Sequence, residues 1–226
     1  MKRALELALK NSQGARPNPS VGAVIVSENK VVGEGFTSNY GGNHAEINAL
    51  NQIRKEDLPF LNKATLYVTL EPCSHTGKTP PCSLAIIQSG ISKVVIGCQD
   101  PNPLVAGKGI SMLRASNIEV TTGVLEKECA EIHRQFLTFI NHTRPYITLK
   151  WAESKDGFIA PLKDQQSEPG SYWLSQPLSK QWTHKLRACS MGIVIGAETL
   201  RYDKPSLNTR IWAGKDPEIL IIGGKL

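Results

Sequence analysis

Two kinds of hydrophobic pattern follow one another along the chain. Short apolar runs with the period of a strand alternate with amphipathic stretches that have the period of a helix. The predicted strands cover 21–27, 30–35, 64–69, 93–97, 119–121, 146–151, 191–196 and 219–222. The predicted helices cover 4–10, 45–53, 81–90, 109–116, 126–141 and 176–188. Alternation of this kind predicts an α/β fold.

The pattern divides near Pro145. Proline disfavours helical backbone at the residue before it, so the helix predicted over 126–141 should end near this position. We expect residues 1–144 to form a three-layer α/β/α domain and residues 145–226 to begin a second α/β domain. The apolar run 219–222, followed by two glycines, is more typical of the middle of a fold than of its end. The second domain is therefore expected to be truncated.

The amino-acid composition favours some classes of protein over others. The 226 residues are 40% hydrophobic and 20% charged, and no long apolar run indicates a membrane segment, so a cytoplasmic protein is expected. Five irregularly spaced cysteines without a secretion signal favour metal or thiol chemistry over a disulfide framework. The net charge of +6 suits an anionic partner. Because the basic residues are scattered, a small phosphorylated ligand is favoured over nucleic acid.

Three separated segments contain candidate metal ligands: His44 opens a predicted helix, Cys73 follows a strand, and Cys82 lies near the start of another helix. One imidazole and two thiolates fill three positions of tetrahedral zinc and leave the fourth for water, as in catalytic zinc sites. Zinc lowers the pKa of bound water to about 7. Glu46, two residues after His44, could then move the protons of a hydrolytic deamination.

Zinc deaminases of nucleobases show an H-x-E segment with a P-C-x-x-C segment. Here eight residues, 74–81, separate the two cysteines instead of two. A closed structural zinc site would need a fourth ligand, for which His75 is the nearby candidate. The remaining cysteines, Cys98, Cys129 and Cys189, lie in apolar contexts and are expected to be core residues.

Longer motifs surround these residues, namely Pro17–Val24, His44–Glu46, Glu71–Cys82 and Asp100–Pro103, followed in the second half by Arg144–Lys150, Ser154–Gly157, Ser171–Trp173, Leu186–Arg187 and Ala197–Thr199. Together they resemble the bifunctional deaminase/reductase family of riboflavin biosynthesis. The resemblance implies a cytidine-deaminase-like domain, residues 1–144, and the first part of a dihydrofolate-reductase-like domain, residues 145–226.

The resemblance also implies an activity. The first domain would use Zn²⁺ to remove the 2-amino group of a diaminopyrimidinone ribosyl phosphate, and the second would use NADPH to reduce the ribose. It further implies a homodimer or a higher homo-oligomer, without nucleic-acid or membrane partners. Because the family's reductase half continues beyond the position of Leu226, we expect an active deaminase and doubt the reductase activity.

The resemblance implies five substrate contacts in the first half: Asn18, His75, Lys78, Asp100 and Asn102. Their chemistry suits the substrate, because Asn18 offers an amide between two prolines, while His75 and Lys78 could supply positive charge for a phosphate. Asp100 and Asn102 form a polar turn after a strand. Asparagine and aspartate also populate turns irrespective of function.

In the second half the resemblance implies two further sets of contacts. Substrate would meet Ser171, Arg187, Leu207 and Arg210, and NADPH would meet Ala152, Trp173, Thr199 and Asp203. Arginine suits a phosphate because its forked donors bind two oxygens at once. Without the resemblance, Trp173 and Leu207 could equally be core residues, and Asp203 and Arg210 a surface pair.

Two other functions remain open at this point. A deaminase acting on a nucleic-acid base, such as a tRNA base, would share the metal ligands and Glu46, but it predicts a short cysteine spacer and a basic surface with interleaved aromatic residues. A non-catalytic binding module would keep zinc for structure alone. Glu46 argues against such a module, because a structural site does not need a neighbouring proton carrier.

Overall fold

The computed structural model describes residues 1–76, 80–102, 106–159 and 174–224. The chain divides into two compact units, Met1–Ile147 and Thr148–Leu226. The division falls in the same short segment as the domain boundary predicted between residues 144 and 145, which stays a prediction.

The first unit contains a mixed sheet of strands β1 (Gly22–Ser27), β2 (Lys30–Phe36), β3 (Thr65–Leu70), β4 (Lys93–Cys98) and β5 (Glu119–Thr121). Its helices are α1 (Lys2–Lys10), α2 (Ala45–Leu50), α3 (Cys82–Ser89), α4 (Lys108–Ala115) and α5 (Glu126–His142). The strand order is β2-β1-β3-β4-β5, in which β1 runs antiparallel to β2 and β3, while β3, β4 and β5 are parallel.

Helices cover both faces of this sheet. On one face Ile25, Leu66 and Ile96 are fully buried and belong to the same core cluster as Ile86 of α3 and Leu113 of α4. Helix α2 joins that layer through contacts with α3. On the other face, α1 and α5 contact each other and pack on the central strands. The first unit is therefore the expected three-layer α/β/α arrangement.

The first unit departs from the predicted elements mainly after α2. This helix ends at Leu50, three residues earlier than predicted, and a 3₁₀ helix that was not predicted covers Lys55–Lys63. Pro59 lies inside the 3₁₀ helix, and its missing N–H and fixed ring obscure the helical pattern. Of the cysteines expected in the core, Cys98 and Cys129 are buried and Cys189 of the second unit is half-buried.

The second unit contains α6 (Pro177–Ala188), β6 (Gly192–Gly196), α7 (Ala197–Asp203) and β7 (Glu218–Ile222). Strands β6 and β7 are parallel neighbours. Helix α7 was not predicted. The apolar side chains of β7 remain between 38% and 65% exposed in the described part of the chain. This sheet thus presents uncovered apolar surface.

The prediction of a strand over residues 146–151 is wrong. These described residues adopt neither helix nor strand. Their alternating side chains are exposed, with Ile147 at 64%, Leu149 at 78% and Trp151 at 65%. Alternation predicts a strand only where a neighbouring strand supplies hydrogen bonds and a core covers one face. Among the described residues this segment has neither.

Candidate metal centre

His44 is placed by the close approach of helix α2 to strand β2. It is the N-cap of α2 and has extended backbone, with φ −72° and ψ 164°. A Cβ on Gly35 would lie 2.2 Å from the Ala45 carbonyl oxygen, and a Cβ on Gly33 would lie 2.3 Å from that of Ala49. Because two glycines of β2 let the helix backbone touch the sheet, the start of α2 and the position of His44 are fixed.

Cys73 and Cys82 are held together by the start of helix α3. Cys73 lies in the segment after β3, and Cys82 is the first residue of α3. Ser83 donates to the Cys73 carbonyl oxygen from its backbone N–H at 3.1 Å and from its hydroxyl at 3.0 Å. The backbone N–H of Cys82 donates to the Cys73 sulfur at 3.3 Å. These bonds bring the cysteines together in spite of the long spacer.

The three predicted ligand residues converge. Their ligand atoms all lie within 4.8 Å of one another. His44 Nδ1 is 3.2 Å from the Cys82 sulfur and 3.6 Å from the Cys73 sulfur. Tetrahedral zinc, with Zn–S near 2.3 Å and Zn–N near 2.0 Å, separates a nitrogen and a sulfur ligand by roughly 3.6 Å. The observed spacing therefore fits zinc and leaves one coordination position for a small molecule.

The protonation of the three groups is coupled. A hydrogen bond with the Cys82 side chain, supported by His44, lowers the pKa of the Cys73 thiol to about 4. The same hydrogen bond, together with burial, raises the pKa of Cys82. The hydrogen bond to Cys73 raises the pKa of His44. Without a cation the site favours a single thiolate, whereas a divalent cation would favour two thiolates and a neutral imidazole.

Glu46 lies in the first turn of α2 beside these ligands and is 3% exposed. Burial raises the pKa of its carboxyl group to about 7, against the opposing effects of His44 and of a hydrogen bond with Cys82. Its carboxyl oxygens are not part of the three-ligand cluster. A buried carboxyl group with a pKa near neutrality can take up a proton and return it.

Glu71 is a residue of the site that sequence reasoning missed. It is 4% exposed, and its carboxylate accepts four backbone N–H groups. Oε2 accepts from Asp100 at 3.3 Å and from Gly107 at 3.0 Å, while Oε1 accepts from Gly109 at 3.0 Å and from Ile110 at 3.3 Å. The donors are backbone groups far away in the chain, so no side-chain motif would have found this interaction.

The predicted substrate contacts Asp100 and Asn102 form a turn after β4. The Asn102 N–H donates to the Asp100 carboxylate at 2.9 Å. Burial is the main cause that raises the pKa of Asp100, with smaller opposing effects from the Asn102 N–H and His75 and a small additional rise from Cys73. These electrostatic interactions place Asp100 near the metal-ligand segment.

The other contacts predicted in the first half are exposed or lie outside the described residues. Asn18 is exposed in the segment between α1 and β1, where its N–H donates to the Ala15 carbonyl at 3.0 Å. His75 is exposed two residues after Cys73. Lys78 lies outside the described residues.

In the second unit, two predicted substrate contacts meet at one asparagine. Arg187 donates to the Asn208 carbonyl at 3.0 Å, and Arg210 donates to the Asn208 side chain at 2.8 Å. Leu207, beside them, is buried. Sequence reasoning missed His184, which lies one turn before Arg187 on α6 and is 4% exposed. Burial, and then the charges of both arginines, lower the pKa of His184.

The predicted NADPH contacts are more dispersed. Thr199 and Asp203 lie four residues apart on α7 and therefore share one side of that helix. Ala152 is half-buried in a segment without helix or strand. Ser171, predicted to contact substrate, and Trp173 lie outside the described residues.

Within the described part of the chain, none of the helices has the length and apolar character needed to cross a membrane.

Two family models match this chain. Residues 1–98 match the cytidine and deoxycytidylate deaminase zinc-binding region, and residues 145–223 match the RibD C-terminal domain. These matches confirm the predicted fold class, an α/β zinc-deaminase-type domain followed by a reductase-type α/β domain.

Individual relatives match both parts. The riboflavin biosynthesis protein RibD of Aquifex aeolicus is 44% identical over 227 residues, which cover all of this chain and 61% of the relative. A crystal structure from Thermotoga maritima, described as a diaminohydroxyphosphoribosylaminopyrimidine deaminase/5-amino-6-(5-phosphoribosylamino)uracil reductase, has a TM-score of 0.88 at 42% identity, covering 98% of this chain and 61% of that one. Form 1 of Acinetobacter baumannii RibD has a TM-score of 0.86 at 36% identity, covering 100% and 63%.

The chain thus spans 61% of the length of the Aquifex relative. Both family models occur in the expected order, and the identity extends through both halves. On this evidence, the chain is similar in both of its parts to the RibD riboflavin biosynthesis proteins.

Proposed function

We propose that the first domain is a zinc-dependent hydrolytic deaminase acting on a pyrimidine nucleotide. The substrate would be 2,5-diamino-6-(5-phosphoribosylamino)pyrimidin-4-one, and the products 5-amino-6-(5-phosphoribosylamino)uracil and ammonia. One observation carries the proposal: the ligand atoms of His44, Cys73 and Cys82 lie within 4.8 Å of one another, beside the buried Glu46. The substrate is inferred from the similarity to the Thermotoga maritima deaminase/reductase.

The chemistry follows from this arrangement. Zinc held by His44, Cys73 and Cys82 would lower the pKa of a bound water to about 7, which supplies a nucleophile at neutral pH. Glu46 would accept the proton of the water and deliver protons to the ring nitrogen and to the departing amine. A carbon–oxygen bond replaces the carbon–nitrogen bond at position 2, and the amine leaves as ammonia. The buried position of Glu46 beside the metal ligands supports this role, because a carboxyl group there can both accept and donate a proton.

Substrate binding is assigned to Asn18, His75, Lys78, Asp100 and Asn102. The interactions of Asp100 with His75 and Cys73 support its share of this role, because they put a polar turn near the metal ligands. An amide and a carboxylate can bind the edge of a pyrimidine, and the basic side chains can bind the phosphate.

For the second domain, which we place at residues 145–226, we propose an NADPH-dependent ribose reductase. Ser171, Arg187, Leu207 and Arg210 would contact substrate, while Ala152, Trp173, Thr199 and Asp203 would contact NADPH. The meeting of two arginines at Asn208 supports a phosphate site. Because β7 leaves its apolar side chains exposed, we expect deaminase activity but no reductase activity from this chain.

We also propose that the protein works in the cytoplasm, on a small phosphorylated substrate, as a homodimer or a higher homo-oligomer. The net charge of +6 without a basic run supports a phosphorylated metabolite over nucleic acid.

The test is ammonia release by the zinc-loaded chain from the diaminopyrimidinone nucleotide, with cytidine and a tRNA anticodon stem as alternative substrates. Glu46→Gln should retain zinc and lose about 10²–10⁴-fold in kcat, because it removes the proton carrier. Glu56→Gln is the matched control, since this side chain is exposed and should leave kcat unchanged.

Each other outcome would contradict the proposal in a defined way. Turnover of the tRNA stem in place of the nucleotide would indicate a nucleic-acid deaminase. Bound zinc without turnover of any substrate would indicate a non-catalytic zinc module.

A further inference from the structure

The carboxylate of Glu71 joins two segments of the first unit. Glu71 comes two residues before the metal ligand Cys73. Its carboxylate accepts hydrogen bonds from four backbone N–H groups. One belongs to Asp100, after strand β4, and three belong to the start of α4. We infer that Glu71 is a positioning residue, which holds the substrate-binding turn of Asp100 and Asn102 at a fixed distance from the metal ligands. This inference rests on the proposed function.

Helix α4 depends on Glu71 for its cap. Its N-cap is Gly107, which has no side chain and cannot satisfy the free N–H groups of the first turn. Glu71 does so from 36 residues earlier in the chain. A carboxylate suits this place because bonds from N–H groups to an ionised acceptor are strong and because the helix N-terminus carries partial positive charge. The start of α4 is therefore completed by the segment that carries Cys73.

A backbone contact also holds the start of α4 against the segment that carries Cys73. A Cβ on Gly109 would lie 2.0 Å from the Pro72 carbonyl oxygen, so the first turn of α4 touches the backbone directly before Cys73. Oε2 of Glu71, which accepts from Gly107, also accepts from Asp100. One buried carboxylate thus joins the segment that carries Cys73, the start of α4 and the turn of Asp100 and Asn102.

The test compares Glu71→Gln with the wild-type chain, both loaded with zinc. A glutamine amide has one acceptor oxygen, so either of its orientations leaves two of the four N–H groups facing an NH₂ group. Glu119→Gln is the matched control, because this carboxylate is exposed on β5 and pairs with the exposed Lys93. The measurements are kcat and KM for the diaminopyrimidinone nucleotide, zinc per chain, and amide hydrogen exchange.

We expect Glu71→Gln to raise KM by about tenfold or more, with a smaller change in kcat, because the glutamine satisfies two of the four buried N–H groups that tie the substrate turn and the start of α4 to the segment before Cys73. Zinc per chain should stay at the wild-type value, since Ser83 and the Cys82 N–H hold Cys73 without Glu71. A fall in kcat with unchanged KM would assign Glu71 to general stability and overturn the inference. Loss of zinc would overturn it as well, because Glu71 would then hold the ligand itself.

Amide hydrogen exchange tests the role of Glu71 even if the proposed function is wrong. If the wild-type chain releases no ammonia, the function fails, but exchange still reports on Glu71. The amides of Asp100, Gly107, Gly109 and Ile110 should be protected in the wild-type chain, and the two that face the NH₂ group of the glutamine should exchange much faster in Glu71→Gln, while sheet amides stay unchanged. If Glu71→Gln does not fold, the wild-type measurement decides: rapid exchange of these four amides would overturn the inference.

Discussion

His133 makes the stability of the first unit depend on pH. This residue of α5 is 2% exposed; its Nε2 lies 3.2 Å from the Thr69 hydroxyl, and its Nδ1 has no hydrogen-bond partner among the described residues. Burial lowers the pKa of His133 from 6.5 to about 4, because protonation would add a buried charge. The unfolded chain binds this proton more readily than the folded chain. The stabilising contribution is complete above pH 6.5 and is lost as the pH falls to about 4.

The magnitude follows from the two pKa values. A difference of about 2.5 pKa units, at 1.36 kcal/mol each, corresponds to about 3 kcal/mol in the free energy of unfolding. His133→Gln keeps a polar group near Thr69 and removes the titration. The difference in free energy of unfolding between wild type and this variant should therefore shrink by about 3 kcal/mol between pH 7 and pH 4.

The assay is urea unfolding of the metal-free chain, followed at unit 1 amides by NMR. Tryptophan fluorescence is unsuitable, since all four tryptophans lie after residue 147. His142→Gln is the matched control, because it makes the same substitution on the same helix at an exposed position. If the difference between wild type and His133→Gln were the same at pH 7 and pH 4, His133 would not be held neutral and the reasoning would be refuted.

Three further predictions concern the sites. Gly35→Ala should lower zinc per chain, measured by mass spectrometry of the metal, since the new Cβ would displace the helix that carries His44; wild-type zinc content would contradict this. In the metal-free chain at pH 6, Cys73 should be alkylated before Cys82, because its pKa is lowered to about 4 and that of Cys82 is raised; peptide mass spectrometry reports the order, and zinc should protect both. Arg210→Gln should raise the pKa of His184 by removing a repelling charge, which an NMR titration measures; an unchanged pKa would show that the charge of Arg210 does not act on His184.

The metal-ligand set could be predicted because each ligand occupies the end of a local element. His44 is an N-cap, Cys82 is the first residue of a helix, and Cys73 follows a buried strand. Local hydrophobic periodicity shows where such ends lie, and parallel strands collect them at one edge of the sheet. The long spacer between the cysteines did not obscure this, because Ser83 and the Cys82 N–H close the intervening loop locally.

Elements that depend on partners elsewhere were harder to predict. The alternating segment 146–151 has the side-chain pattern of a strand, but no strand pairs with it in the described part of the chain. Helix α7 is short, and the polar residues on its surface resemble those of a loop. In these segments, packing rather than local pattern decides the conformation.

Glu71 and His133 were missed for a related reason. Their partners are backbone amides 29 to 39 residues away and a hydroxyl 64 residues away. In the sequence, a glutamate before a Pro-Cys pair and a histidine inside an amphipathic helix look like ordinary surface residues. The fold alone makes both of them buried and gives them partners.

The same long-range contacts explain why the glycines around the site must be small. Two ligands of this centre, His44 and Cys82, lie at helix starts and the third, Cys73, follows a strand, so their separation depends on where backbones meet. Gly35 lets α2 meet β2, and Gly109 lets α4 meet the segment before Cys73. Glu71 then fixes the second of these contacts with its buried carboxylate. A larger residue at either glycine would move a helix start and its ligand or substrate turn together, which is why these positions should affect function although they bear no chemistry of their own.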